Sequence, residues 1–312
     1  MTHPKITVVG AGNVGASCAL WAAAQDLGDI VLVDIVDGLA AGKALDLQQT
    51  APVMGFAHRI TGTTDYDATA GSDLAIVTAG LARKPGMSRD DLLIKNARVV
   101  SGIVRELVAA SPDVILLIVS NPVDAMTSLA HRVSNLPTGR VVGMAGVLDS
   151  ARMRTFIAEA AGASPKDVQA YVLGGHGDTM VPLVRHSSIG GVPLAARLSD
   201  EQIAAIVERT RGGGAEIVSL LKTGSAFYAP AAAAVTMAQS ILRDERRVLP
   251  CAAYCDAEYG VGGYFVGVPA RLGAGGVMDV LEFDLNDAER AAFDASVAHV
   301  KGLVEKLAEL GY

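Results

Sequence analysis

Short apolar runs alternate with longer amphipathic stretches across the first half of the chain. Runs at 5–9, 30–33, 74–78, 114–119 and 140–143 are rich in Val, Ile and Leu, and VILLIV at 114–119 is apolar at every position. A continuous apolar strand is buried on both faces, which fits a parallel sheet better than an alternating pattern would. Between these runs, 13–25, 38–51, 90–110 and 123–133 are suited to helices. Strand and helix in alternation predict βαβ units, and hence an α/β fold with a doubly wound parallel sheet.

The pattern changes after about residue 145. Longer helical stretches follow at 149–161, 201–221 and 225–242, the second of them interrupted at Gly212, Gly213 and Gly214. Three strand-like runs come near 248–253, 264–271 and 275–283. A last helix opens with Asn286 as N-cap and Glu289 three residues on, the spacing of a capping box. Phe293, Val297, Val300, Val304 and Leu307 then form one apolar stripe, to be packed against the body or a partner subunit. The change of pattern divides the chain into 1–144 and an α+β second domain, 145–312.

Composition narrows the choice of partners. Hydrophobic residues make up 51% of the 312 and charged residues 19%, which excludes a disordered chain; with aromatics at 4% the core must be aliphatic. A net charge of −7 argues against nucleic acid, because phosphate backbones are met with basic surfaces. No apolar run approaches the roughly 20 residues that span a bilayer, so no membrane partner is expected. The start runs straight into an apolar strand and leaves no room for a signal peptide. Cys18, Cys251 and Cys255 are too few and too oddly numbered for a disulfide framework. The last two could share a helical face but lack a companion Cys or His pair, so no metal site is expected. These features fit a cytoplasmic protein that handles a small molecule.

The segment GAGNVG comprises Gly10, Ala11, Gly12, Asn13, Val14 and Gly15, directly after a predicted strand and directly before a predicted helix. In G-x-G-x-x-G the first glycine permits the tight turn and the second lets backbone approach a pyrophosphate. The third lets the helix pack on the strand. The helix start offers unpaired N–H groups and partial positive charge to the phosphates. Asp34 ends the second strand, where a carboxylate accepts bonds from the hydroxyls of an adenosine ribose and would repel a 2′-phosphate. NAD is therefore expected over NADP, held by a Rossmann domain. In such a sheet the ligand lies where strand order reverses, which places the loops after Thr78 and Val119 beside the glycine loop.

Two more segments carry chemistry. ARKPGMSRDD at 82–91 holds Arg83, Lys84 and Arg89, and reads either as a solvated surface loop or as a mobile lid with arginines aimed at the cofactor site. In GGHGD at 174–178, glycines on both sides of His176 permit an exposed, tightly turned loop. Asp149, within VLDSAR at 147–152, is its natural partner to fix the tautomer and support an imidazolium.

GAGNVG with Asp34, ARKPGMSRDD, SNP at 120–122, VLDSAR, GGHGD and GSAFYAP at 224–230 follow one another at spacings that resemble the lactate/malate dehydrogenase superfamily over essentially the whole chain. Within it, the chain looks like the bacterial malate dehydrogenases of the lactate-dehydrogenase-like type. The resemblance implies hydride transfer between the nicotinamide of NAD and C2 of a small 2-hydroxy acid. It implies that His176 takes the hydroxyl proton in malate oxidation and returns it in oxaloacetate reduction, with Asp149 holding the ring. Arg152 would clamp the C1 carboxylate in a planar two-point contact. Arg89 would polarise the reacting carbonyl. Asn121 would bond the substrate oxygen, and the peptide before Pro122 is a candidate for the cis form. The resemblance also places Asn96, Val119, Ser120 and Asn121 near the nicotinamide ribose, and Val14 as a cofactor contact or a packing residue.

Arg83 bears on the substrate. The matching position in the lactate branch usually carries a neutral glutamine. A second cation here can pair with a four-carbon dicarboxylate, whereas pyruvate would leave a desolvated guanidinium facing a methyl group. The resemblance thus implies a dicarboxylate substrate (malate or oxaloacetate), with a lactate or other 2-hydroxyacid dehydrogenase as the alternative. A redox-sensing NAD-binding protein without catalysis is the rival of another class, but it would not need a proton relay beside a carboxylate clamp. Phe227 departs from a tyrosine common among relatives, and the glycine break falls in a helix that commonly forms part of the active-site wall. The family and the amphipathic helices imply a homodimer or homotetramer.

Overall fold

The computed structural model describes residues 3–81 and 89–312, without the side chain of Arg89. Six strands build a parallel sheet: β1 (Lys5–Val9), β2 (Asp29–Val33), β3 (Ile60–Thr63), β4 (Leu74–Val77), β5 (Ile115–Ile118) and β6 (Val141–Gly143). Their order is β3-β2-β1-β4-β5-β6, the doubly wound arrangement whose strand order reverses between β1 and β4. The crossovers are α1 (Asn13–Ala24), α2 (Leu39–Gln49) with the single turn α3 (Ala51–Met54), α4 (Arg89–Ala110) and α5 (Val123–Ser134).

Successive residues along these strands serve opposite layers. Ile6, Val8, Leu74, Ile76, Ile115 and Leu117 pack in one core with α1, while Val9, Ala75, Val77, Leu116 and Ile118 pack in the other with α4 and α5. Both faces are dry, which is why the sequence shows continuous apolar runs rather than alternation.

The second half adds α6 (Gly146–Ala161), five two-residue strands and three long ones. The short strands are β7 (Val168–Gln169), β8 (Val172–Leu173), β9 (Val181–Pro182), β10 (Ser188–Ile189) and β11 (Val192–Pro193). Helices α7 (Asp200–Leu221) and α8 (Tyr228–Leu242) follow. Strands β12 (Arg247–Cys255), β13 (Tyr264–Gly273) and β14 (Gly276–Val280) then extend the sheet antiparallel from β6, with Ala252 opposite Gly143, to nine strands. Helix α9 (Asp287–Glu309) closes the chain. Its capping box between Asn286 and Glu289 forms as predicted, and its stripe from Phe293 to Leu307 is buried in the body.

Several expectations need correction. The predicted break at Gly212, Gly213 and Gly214 does not occur, since α7 runs unbroken through them. Interior glycines cost about 1 kcal/mol each against alanine. A capping box between Ser199 and Gln202 and a buried face of Ile206, Thr210 and Gly213 hold the helix nonetheless. Cys251 and Cys255 lie on strand β12 rather than on a helical face, and both are buried. Helix α8 begins at Tyr228 rather than Ser225, and α6 begins at Gly146, so Asp149 stands in its first turn. Helix α4 starts at Arg89, one residue ahead of the expected 90–110, and Asp90 and Asp91 in its first turn suit the positive end of its dipole. Among the described residues no helix is long and apolar enough to cross a membrane, and no group of His, Cys, Asp or Glu is placed to hold a metal ion.

Candidate active site

The glycine loop leaves β1 and turns into α1 at the point where strand order reverses. Gly10 has φ 101°, a left-handed value that favours glycine. A Cβ on Gly15 would stand 1.8 Å from the Gly10 carbonyl oxygen, so only glycine lets α1 sit this close to β1. Gly12 is different, for no described atom lies within 4 Å of where its Cβ would be. It is also the N-cap of α1, and no side chain caps the helix there. Open space in front of uncapped helix N–H groups is what a pyrophosphate requires.

Asp34 closes this loop from the side. Its Oδ2 accepts from the Ala11 N–H at 2.6 Å and its Oδ1 from the Val36 N–H at 3.0 Å. The Ala11 carbonyl in turn accepts from Lys43 Nζ on α2 at 2.7 Å, so the two peptides flanking one residue are held, one by an acid and the other by a base. Lys43 was not anticipated, because a lone lysine on a helix gives no signal in sequence. The adenosine end of a dinucleotide therefore fits the residues present.

The neighbouring loops are laced together beneath this site. Asn96 on α4 is only 1% exposed. Its Oδ1 accepts from the Leu81 N–H at 2.8 Å, and its Nδ2 donates to the Asn121 carbonyl at 2.7 Å and to the Leu81 carbonyl at 3.2 Å. Ser120 Oγ donates to the Ala79 carbonyl at 2.5 Å, and Val119 N–H to the Val77 carbonyl at 2.9 Å. The Asn121–Pro122 peptide is cis. These contacts bring Asn96, Val119, Ser120 and Asn121 to one place. Val14, in the first turn of α1, packs against the core. Arg83 and the rest of 82–88 lie outside the described residues, as does the side chain of Arg89.

The second cluster forms where α6 meets the GGHGD loop. Asp149 is 2% exposed, and its Oδ2 lies 2.8 Å from His176 Nδ1 while its Oδ1 accepts from Arg152 Nη1 at 3.1 Å. One carboxylate thus orients both an imidazole and a guanidinium. Burial disfavours the charged form of His176, but the Asp149 charge and hydrogen bond outweigh it, helped by Asp124, and the net direction is upward from the usual histidine value. Arg152 lies one turn beyond Asp149 on α6, and its Nε is buried without a hydrogen-bond partner among the described residues.

Asp124 is a second residue that sequence reasoning misses. It lies in the first turn of α5, and its Oδ2 accepts from the His176 backbone N–H at 2.9 Å. Burial pushes its carboxyl up to about 6, against the pull of the His176 contacts. An acid in a helix's first turn is an ordinary feature, so nothing in the sequence marks it as facing a histidine.

Likeness to known proteins agrees with a dinucleotide cradle and a His–Asp–Arg cluster in one chain. Residues 4–143 match the family described as lactate/malate dehydrogenase, NAD binding domain, and residues 146–310 match the lactate/malate dehydrogenase alpha/beta C-terminal domain.

The chain belongs to the lactate/malate dehydrogenase family.

Within the family it is 56% identical over 309 residues to a malate dehydrogenase of Rhodopirellula baltica, covering 98% of each chain. The structure of malate dehydrogenase from Salinibacter ruber superimposes with a TM-score of 0.94 at 51% identity, over 98% of each chain. A Cryptosporidium parvum lactate dehydrogenase solved with lactic acid and NAD reaches a TM-score of 0.95 at 41% identity, again over 98% of each chain. Lactate and malate members of the family thus share this backbone closely, and side chains must separate their substrates.

Proposed function

We infer that the chain is an NAD-dependent malate dehydrogenase that interconverts (S)-malate and oxaloacetate. The observation that carries this reading is the Asp149 carboxylate shared between His176 at 2.8 Å and Arg152 at 3.1 Å, which sets a proton carrier beside a carboxylate clamp. Residues 1–144 form the dinucleotide-binding part and 145–312 the substrate part. NAD is held by Gly10, Ala11, Gly12, Asn13, Val14 and Gly15, by Asp34, and by Asn96, Val119, Ser120 and Asn121. When bound, NAD supplies the carbon that accepts or gives the hydride.

The chain's own residues do the rest. With Nδ1 committed to Asp149, His176 Nε2 takes the malate hydroxyl proton, and the buried carboxylate stabilises the imidazolium that results. In the reverse direction the same nitrogen returns the proton. Arg152 holds the C1 carboxylate through a planar pair of N–H groups, and Asn121 bonds the substrate oxygen. Arg89 polarises the reacting carbonyl and Arg83 pairs with the distal carboxylate. The substrate's two negative charges then meet two guanidinium groups, which a monocarboxylate cannot satisfy.

A cytoplasmic homodimer or homotetramer fits this reading. Exposed apolar side chains on α2 and α3, among them Leu45, Val53 and Met54, support a subunit contact there.

The test is NADH consumption with oxaloacetate and pyruvate offered separately at equal concentration. Oxaloacetate preferred by about a hundredfold or more is expected, the scale set by an unpaired buried charge. Equal or greater turnover of pyruvate would overturn the substrate assignment.

A further inference from the structure

We infer that Gly213 and Gly214 of α7 form a seat that positions the Arg152 guanidinium and thereby sets the affinity for the substrate carboxylate; the inference rests on Arg152 being the carboxylate clamp. Arg152 leaves α6 and lies against α7. A Cβ on Gly213 would stand 3.2 Å from Arg152 Cδ and 3.7 Å from its Nε. A Cβ on Gly214 would stand 3.6 Å from Nη2 and 3.8 Å from Nη1. The Gly213 distance is tighter than carbon atoms normally pack, so a single methyl group there requires the arm of Arg152 to give by a few tenths of an ångström.

Hydrogen bonding alone does not fix this guanidinium. Nη1 bonds Asp149 at 3.1 Å, but the buried Nε has no partner among the described residues. The surface of α7 is therefore the second restraint, and it exists because no side chain intervenes. A planar fork that must meet a carboxylate at two points tolerates little displacement. Gly212 supplies an internal control. It lies in the same turn of the same helix, but it is exposed, and no described atom lies within 4 Å of its would-be Cβ. Helix propensity favours alanine equally at 212 and 213, so propensity cannot account for a difference between the two substitutions.

The experiment compares wild type, Gly212→Ala and Gly213→Ala for oxaloacetate KM, kcat, NADH affinity and thermal unfolding. Gly213→Ala is expected to raise KM on the order of tenfold, a modest share of what misplacing a binding group by 1 Å can cost. NADH affinity and the unfolding midpoint stay at or above wild type. Gly212→Ala leaves KM unchanged. A wild-type KM in Gly213→Ala, or an equal rise in both variants, overturns the seat. Should Gly213→Ala not fold, the double variant Gly213→Ala with Arg152→Ala decides: recovery of folding supports the contact, and continued failure overturns it. Wild-type protein that does not turn over oxaloacetate sinks the reading of Arg152 itself, a result distinct from a KM that ignores Gly213.

Discussion

The His176 backbone N–H donates to Asp124 Oδ2 at 2.9 Å, tying the loop of the second half that carries the imidazole to the first turn of α5. Asp149 meets the same residue through its ring. Two buried carboxylates therefore face one histidine, and both raise its affinity for a proton against the effect of burial. The sign for stability follows from that direction. The imidazolium stabilises the fold below the ordinary histidine value of 6.5, and this contribution is lost as pH rises through the higher folded value.

Asp124→Asn keeps an acceptor for the His176 N–H but removes the charge. The midpoint at which oxaloacetate reduction fails on the alkaline side is expected to move toward acid, by less than about one pH unit. Rates well below that midpoint should change little. Profiles of kcat/KM against pH for the two proteins check this, and coincident profiles would remove Asp124 from any electrostatic role.

Asp149→Asn is nearly isosteric but takes away the support for the imidazolium and the fixed tautomer. A fall in kcat of about 10²–10⁴ is expected, the usual share of positioned acid–base catalysis. NADH affinity should be retained, because Asp149 bonds His176 and Arg152 and is not part of the glycine loop. Fluorescence titration with NADH separates the two effects.

Gly12 and Gly15 should respond differently to alanine. At Gly15 the new methyl group would collide with the Gly10 carbonyl at 1.8 Å, so stability falls by about 1–3 kcal/mol as α1 is pushed from β1. At Gly12 the methyl group meets no described atom, so the unfolding midpoint holds while NADH affinity falls. Denaturant unfolding and NADH titration of both variants make the comparison. Equal loss of stability in the two would contradict the separate jobs given to these glycines.

The parallel sheet was legible in sequence because its strands are buried on both faces and read as unbroken apolar runs. Strand β3 was not, since ITGT carries little hydrophobic signal and pairs with β2 alone at the sheet's edge. The two-residue strands β7 to β11 are too short to show any period. Gly213 looks like a helix breaker in sequence because propensity is local, whereas its reason is a side chain arriving from another helix. His176 and Asp149 could be paired in advance, since glycines marked the loop and the family motifs marked the partner. Asp124 could not, because its partner is a backbone N–H, which every residue but proline offers.

The most direct test of the central claim measures kcat/KM against pH for oxaloacetate reduction and malate oxidation in the same buffers. Reduction requires His176 protonated and oxidation requires it neutral. The account predicts that reduction falls and oxidation rises through one shared midpoint, above the ordinary histidine value of 6.5. Profiles that run parallel in the two directions would contradict His176 as the proton carrier.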